Sequence, residues 1–335
     1  MDVLAQIKRQ TSAKLNDRGV ARHKQGDLKG ALQLYSMAIS VDPGCYPGFY
    51  NLGNLMRSQH KFEAALSAYE RAMACAPDFI DAWRNAAPVY RHLGRHDEAR
   101  RCYEKMLAAD PEDRVARHFL DAMDGKSSGA PPPYVEELFD GCATGFDEHL
   151  VGRLHYRVPA VLMDLVRERG GEDPVDHCLD LGCGTGLLAA PLRGICRQLV
   201  GVDVSKNMLV EAEKKELYDE LVHCDIVEYL RGTPQTWGLV IVCDVLLYLG
   251  DLAPLFEELQ QRTESGAQLL ISVDVGDLAE GFALQPSGRY CHSRSYVEEL
   301  CRDNGLNVVD VQTEEVRRQD EERAEAVFFR LGRAG

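Results

Sequence analysis

The sequence predicts an α + α/β protein, an N-terminal α-helical solenoid followed by a doubly wound α/β sheet of seven strands. Three observations carry this prediction. Pro43, Pro77 and Pro111 recur at intervals of 34 residues, and Tyr35, Tyr69 and Tyr103 keep the same interval, as do Ala31, Ala65 and Ala99. The stretch GKSSGAPPP has the composition of a linker, flexible at its start and stiffened by prolines at its end. Beyond Pro174, short apolar runs alternate with helix-period segments, the pattern of a sheet covered by helices on both faces. The expected organisation is a repeat domain over 1–124, a linker over 125–133 and an α/β domain over 134–335.

Within the first third, GDLKGALQLYSMAISVDP, HKFEAALSAYERAMACAP and GRHDEARRCYEKMLAADP align as the second helix of successive units. LNDRGVARHKQ, FYNLGNLMRSQ and AWRNAAPVYRHL precede them as the first helix. Gly19, Gly53 and Ala87 on the first helices, and Ala31, Ala65 and Ala99 on the second, let each pair approach closely. The tyrosines are expected to fill the space between stacked units. Each proline ends a second helix because it has no N–H to continue the hydrogen-bond ladder. This pattern resembles three tetratricopeptide repeats, with Trp83 and Tyr90 matching the family's aromatic positions. Asp2–Gln10 and Glu112–Met123 read as end caps. His23, Tyr50, Asn54, Arg57, Arg84 and Arg91 are expected to face a concave groove suited to an acidic or C-terminal peptide. The alternatives are a scaffold that binds nothing, or one that lies against the acidic C-terminal domain of its own chain.

The bulk properties narrow the functional classes. At 335 residues, with 45% hydrophobic and 27% charged side chains, the chain can build two cores. Its longest apolar run, Leu239–Leu249, contains Asp244 and falls short of the ~20 residues that cross a bilayer. The start MDVLAQIKRQ is too charged for a secretory signal. Eleven cysteines stand singly without a C-x-x-C pair, which points to reduced thiols in the cytoplasm and to neither disulfides nor a metal site. Residues 1–125 hold 18 basic and 16 acidic side chains, whereas the remainder holds 20 and 37. So acidic a C-terminal part repels phosphate backbones and argues against a nucleic-acid substrate.

In that part, strands are expected near His177–Leu181, Gln198–Asp203, Glu220–Cys224, Leu239–Asp244, Gln268–Asp274, Leu306–Gln312 and Ala326–Leu331. Helices are expected at Lys206–Leu217, Leu252–Arg262 and Ser295–Asn304. The first strand runs into LDLGCGTG, which places Gly182, Gly184 and Gly186 in one turn around Cys183. The dinucleotide fingerprint G-x-G-x-x-G fails because Leu187 occupies the third glycine's place, and the triphosphate loop fails because no Lys-Ser or Lys-Thr follows. A tight glycine turn preceded by Asp180 suits a ligand without phosphates, its carboxylate answering an ammonium. S-adenosylmethionine is such a ligand.

LDLGCGTG resembles the first motif of the class I methyltransferases, and the resemblance implies a Rossmann-like domain that binds S-adenosylmethionine. Asp203, followed by Val204, ends the second strand where a carboxylate accepts both ribose hydroxyls. Asp225 with Ile226 resembles the family's adenine clamp. Cys243 and Asp244 end the fourth strand, facing the methionine part and the reacting methyl group. LFDxxAxxFDxHL, VLxYLGDL and RYxHSxxY, as they stand here, resemble a group of bacterial predicted methyltransferases that carry tetratricopeptide repeats.

The acceptor side is expected from two flanking regions. Upstream, amphipathic helices are expected to lid the cofactor, with Tyr134, Phe139, Phe146, His155 and Tyr156 as candidates. After the fifth strand, Tyr290 and His292 are placed on a loop before a helix capped by Ser293 or Ser295, with His292 as candidate general base or as a mere loop support. CDVLLYL after the fourth strand lacks the Asn/Asp-Pro-Pro-Tyr motif of many nucleic-acid and protein amine methyltransferases. The favoured reading is methyl transfer to a small-molecule oxygen, nitrogen or carbon. The alternatives are a protein methyltransferase whose repeats recruit its substrate, and a non-catalytic cofactor-binding adaptor.

Overall fold

The 34-residue period becomes paired helices: α1 (Val3–Lys24) with α2 (Leu28–Val41), α3 (Tyr46–Ser58) with α4 (Phe62–Cys75), and α5 (Ile80–His92) with α6 (His96–Ala109). A closing helix, α7 (Arg114–Met123), follows. The computed structural model describes residues 3–126, 132–143, 145–153, 155–167, 174–276, 278–285, 287–319 and 322–333, in two compact units, Met1–Met123 and Asp124–Gly335. Residues 127–131 of the expected linker lie outside the described residues, and Pro132 and Pro133 already open a helix.

The first two repeats each close on a glycine–tyrosine contact. A Cβ on Gly53 would lie 2.5 Å from Cε1 of Tyr69, and one on Gly19 would lie 2.6 Å from Cε1 of Tyr35. The rings therefore occupy the space that the glycines leave within a unit, not the space between units as expected from the sequence. Ala31, Ala65 and Ala99 are fully buried at the same interface. The prolines sit just past the ends of α2, α4 and α6, as their missing N–H requires. The expected N-terminal cap Asp2–Gln10 is no separate element from Val3 onward: no turn signal interrupts the chain there, and α1 runs unbroken through it.

Several residues assigned to the concave groove are engaged between repeats. Asn85 donates from Nδ2 to the Tyr50 hydroxyl at 3.0 Å and to Asn54 Oδ1 at 2.9 Å, and Tyr69 donates to Asn54 at 2.7 Å. Asn51, one period earlier than Asn85, donates to Asn16 at 2.8 Å. Arg84 pairs with Asp113 at 3.1 Å, and Arg91 lies 3.9 Å over the Phe119 ring. These side chains hold the stack together by satisfying one another's polar groups.

In the second unit, α8 (Pro132–Asp140), a π-helical turn (Glu148–Arg153) and α9 (Val158–Arg167) precede the sheet. The sheet strands are β1 (Val175–Leu181), β2 (Cys196–Asp203), β3 (Glu220–His223), β4 (Trp237–Val242), β5 (Thr263–Val273), β8 (Leu306–Gln319) and β9 (Glu322–Arg333). A two-stranded hairpin, β6 (Phe282–Leu284) and β7 (Tyr290–His292), is inserted after β5. The covering helices are α10 (Ala189–Arg193), α11 (Lys206–Glu213), α12 (Ile226–Gly232), α13 (Ala253–Arg262) and α14 (Arg294–Asp303). The sheet order is β3-β2-β1-β4-β5-β9-β8, with β1 to β5 parallel and β9 antiparallel to both neighbours.

Strand alternation divides the core in two. Leu179, Leu181, Val240, Val242, Leu269 and Ile271 pack on the face of α12, α13 and α14. Cys178, Leu239, Ile241, Leu270 and Phe328 pack on the face of α9 and α10. The order reverses between β1 and β4, so the loops after these strands diverge and open a crevice at the carboxyl edge. β8 and β9 are longer than the sequence suggested. β9 pairs with β5 only as far as Val273↔Val327, so residues 314–319 and 322–326 pair with each other beyond that edge.

Gly53→Ala is expected to lower the urea-unfolding free energy by about 1–3 kcal/mol, because the tyrosine ring in the repeat core cannot yield to a methyl group. An unchanged urea midpoint would show that Tyr69 is not seated on Gly53.

Candidate active site

The crevice is built first by the turn after β1. Gly182, Gly184 and Gly186 have φ of +75°, +54° and +78°, the left-handed region where a Cβ is penalised. At Gly182 the steric demand is also tertiary, since a Cβ there would lie 2.0 Å from Cγ2 of Val245. The turn is fixed to β2 through Asp203. Its Oδ2 accepts from the Gly184 amide at 2.8 Å, and its Oδ1 accepts from the Ser205 amide at 2.8 Å. Ser205, not Asp203, caps α11, accepting from the Met208 amide at 3.2 Å. Burial raises the Asp203 pKa against the opposing pull of these amides.

The cleft has a volume of about 360 Å³. It brings together Gly182, Cys183, Gly184, Asp203 and Val204 with Asp225, Ile226, Cys243 and Asp244. Asp225 is simultaneously the N-cap of α12, its Oδ1 accepting from the Val227 and Glu228 amides. Burial pushes the Cys183 and Cys243 thiols up, so they act as packing surface rather than nucleophiles. Asp244 adopts φ +55°. Its amide donates to Ser272 Oγ at 2.9 Å, and its carboxylate accepts from the Tyr156 hydroxyl at 2.6 Å.

Four of the expected site residues lie elsewhere. Asp180 is 1% exposed beneath the glycine turn, where its carboxylate accepts from the Tyr218 hydroxyl at 2.7 Å. Gly186 backs onto the same ring, 2.9 Å from a would-be Cβ. Neither reaches the cleft wall. Tyr290 and His292 belong to β7 and not to a loop, with exposures of 1% and 0%. The His292 Nε2 lies 3.0 Å from the Gly250 carbonyl, and Tyr290 packs against Gly250. Burial lowers the His292 pKa. Both side chains anchor the hairpin to the loop after β4, and neither lines the cleft, which corrects the catalytic roles assigned to them from the sequence. Ser293 caps α14 through the Tyr296 amide.

The upstream segment forms the expected lid in part. Phe139, Phe146 and Tyr156 line the cleft, whereas Tyr134 and His155 do not. The lid is latched by two aspartates that the sequence reading passed over. Asp140 accepts from Ser205 Oγ at 2.6 Å and from the Asn207 amide at 3.1 Å. Asp147 accepts from the Thr185 hydroxyl and from Lys215 at 2.7 Å. The signal was visible as a Phe-Asp pair repeated seven residues apart, each aromatic entering the cleft and each acid gripping the sheet side.

Residues 52–123 match the tetratricopeptide repeat model and residues 179–271 the methyltransferase domain model. The chain thus carries tetratricopeptide repeats followed by a methyltransferase domain, whose mixed seven-stranded sheet has the class I fold. Malonyl-[acyl-carrier protein] O-methyltransferase of Alcanivorax borkumensis is 32% identical over 171 residues, covering 50% of this chain and 56% of that protein. Ubiquinone biosynthesis O-methyltransferase of Methylocella silvestris is 31% identical over 150 residues, covering 43% and 56%. The chain spans about half the length of the curated relatives it matches. Among solved structures, magnesium protoporphyrin IX methyltransferase from Synechocystis with bound SAH aligns at 16% identity and a TM-score of 0.48, covering 61% of this chain and 99% of that one. No helix among the described residues is long and apolar enough to cross a membrane.

Burial raises the Asp180 pKa to about 7, with Asp203 adding to the rise and the Tyr218 hydrogen bond opposing it. The folded state thus holds this proton more tightly than the unfolded chain. Its stabilisation is complete below the ordinary carboxylate range and is lost as pH rises through 7. Asp180→Asn, which mimics the protonated form, should gain steadily on the wild type between pH 5 and pH 8, its Tm advantage growing by about 5 °C or more across that range. Parallel Tm curves across that range would remove Asp180 as the titrating group.

Proposed function

We propose that this protein is an S-adenosylmethionine-dependent methyltransferase acting on a small-molecule acceptor. The observation that carries the reading is the Asp203 carboxylate, fixed between the Gly184 and Ser205 amides at the carboxyl end of β2 and turned to the cleft. Both of its oxygens keep lone pairs for the two ribose hydroxyls of an adenosine. The donor set fits the cofactor. Glycine backbone, three aspartates and apolar walls surround the turn, a composition for adenosine and a cationic sulfonium amino acid and not for a phosphate chain. Asp225 and Ile226 would flank the base, while Cys243 and Asp244 would border the methionine part.

When bound, S-adenosylmethionine supplies an electrophilic methyl group. This chain's own residues orient and enclose. The lid aromatics Phe139 and Phe146 exclude water, and Asp140 and Asp147 hold the lid down. Asp244, hydrogen-bonded by Tyr156, presents the ionisable group placed to receive a proton from an acceptor at this edge. The covered, largely apolar cleft favours a small acceptor over a polypeptide chain, and the relatives named for O-methylation favour oxygen as its nucleophile. The repeats take the role of a protein-binding module.

Calorimetry on the full chain tests the site: S-adenosylmethionine and S-adenosylhomocysteine should bind and NAD should not. Asp203→Asn should weaken both adenosyl ligands by about tenfold or more, since charged hydrogen bonds to the ribose are lost. Equal affinity in the variant would refute the ribose assignment. Incubating the protein with labelled methyl donor and a metabolite extract should then yield labelled small molecules. Label found only on polypeptides would favour the protein-methyltransferase alternative.

A further inference from the structure

Two arginines in the cleft wall have no task in the cofactor reading. Arg289 comes from the turn of the β6–β7 hairpin, just before β7. Arg317 comes from the part of β8 that runs past the carboxyl end of β5. The two elements that carry them lie outside the parallel strands, and both deliver a cation to the same end of the crevice. Both line the same cleft as Leu247 and Tyr248 of the 3-10 turn Leu246–Tyr248, and both lie within electrostatic reach of the Tyr248 hydroxyl and of the Asp274 carboxyl just after β5. Among the described residues, no carboxylate lies within ion-pair distance of either side chain.

Their carriers are rigidly placed. The hairpin turn is closed by the Gln285 amide donating to the Arg289 carbonyl at 2.8 Å, and the hairpin is pinned by Tyr290 and His292 against Gly250. The β8 extension is tied down one residue before Arg317, where the Val316 carbonyl accepts from the Arg157 amide at 2.9 Å, and Val316 itself is buried. Neither half-buried guanidinium is in direct contact with a carboxylate, Asp274 acting on them only at longer range, so each keeps donors free for an anion that enters the cleft. Besides Asp244, which acts on the same Tyr248 hydroxyl, the wall at this end is formed by Leu247, Tyr248 and Phe139, apolar or aromatic side chains.

We propose that Arg289 and Arg317 form an oxyanion clamp for the methyl acceptor, so that the acceptor is an acid with an apolar body. This inference rests on the methyltransferase reading and specifies its substrate class. Planar guanidinium forks grip carboxylate and phosphate alike, so the shared chemistry is a singly or doubly charged oxyanion. The apolar wall takes the rest of the molecule, and the anionic head fixes which of its atoms faces the donor end of the cleft.

The test uses the full chain saturated with S-adenosylhomocysteine and three probes of equal chain length: octanoate, octyl phosphate and 1-octanol. Calorimetry should show at least one anion binding about tenfold or more tighter than the alcohol. A preference for octanoate assigns a carboxylate head, and a preference for octyl phosphate assigns a phosphate head. Arg289→Gln and Arg317→Gln should each reduce that preference about tenfold, and the double variant should abolish it. Throughout, S-adenosylhomocysteine affinity should stay within about twofold of wild type, which also shows that the variants fold. Failure of S-adenosylhomocysteine to bind the wild type would overturn the methyltransferase reading itself. Binding of that ligand with no anion preference, or a preference that survives the double variant, would overturn the clamp alone. Weakened S-adenosylhomocysteine binding in a folded arginine variant would reassign that arginine to the cofactor carboxylate and likewise overturn it.

Discussion

The carboxylate of Asp203 is the constraint on which the second unit's crevice depends. Three glycines at alternate positions in left-handed conformations would leave a turn with many accessible states and a large entropy to lose. One buried side chain at the end of β2 removes that freedom by accepting from the Gly184 amide, and it orders the start of α11 through the Ser205 amide. Two strand ends are thereby locked in register before any ligand arrives. A cap of the neighbouring helix by Asp203 would have consumed the same oxygens, but Ser205 performs the capping and leaves the carboxylate on the wall.

From that fixed point the rest of the cleft is assembled by additions to the parallel sheet. The lid comes from before β1 and is held by Asp140 and Asp147, the first gripping the start of α11 and the second the glycine turn and Lys215. The opposite wall comes from after β5, through the inserted hairpin and the overhang of β8 and β9. In the proposed function the parallel core thus takes the adenosine side, and chain inserted around it takes the acceptor side. This division lets one sheet host many acceptors, because the insertions change without disturbing Asp203.

Legibility in the sequence follows the same division. The repeats and the parallel strands announce themselves by period and by apolar runs, because a core buried on both faces allows little else. Gly182 and Gly184 were readable because few other residues adopt their left-handed φ, and Asp203 because a carboxylate ends the second apolar run. The hairpin was not readable. Its strands are three residues each, too short for alternation to register, and Tyr290 and His292 look like functional groups when only their types are known. Their burial against Gly250 is a tertiary fact. Asp180 failed similarly, since nothing local reveals that Tyr218, 38 residues on, will close over it. The end of α11 at Glu213, four residues short of expectation, belongs to the same event, because the chain must turn there to bring Tyr218 under the glycines.

In the repeat unit the misreading ran the other way, from exposed to engaged. Arg84, Arg91, Tyr50 and Asn54 have the chemistry of a peptide groove, yet each finds a partner within the stack. A 34-residue period places equivalent residues of adjacent first helices side by side, so the polar types suited to hold a ligand also suit holding the next repeat. Asn51 and Asn85 make this concrete, donating across successive interfaces from equivalent positions. A ligand using these groups would have to break bonds that support the solenoid. A ligand-binding role for this unit would therefore need side chains beyond that ladder, because these ones already set the stability of the stack.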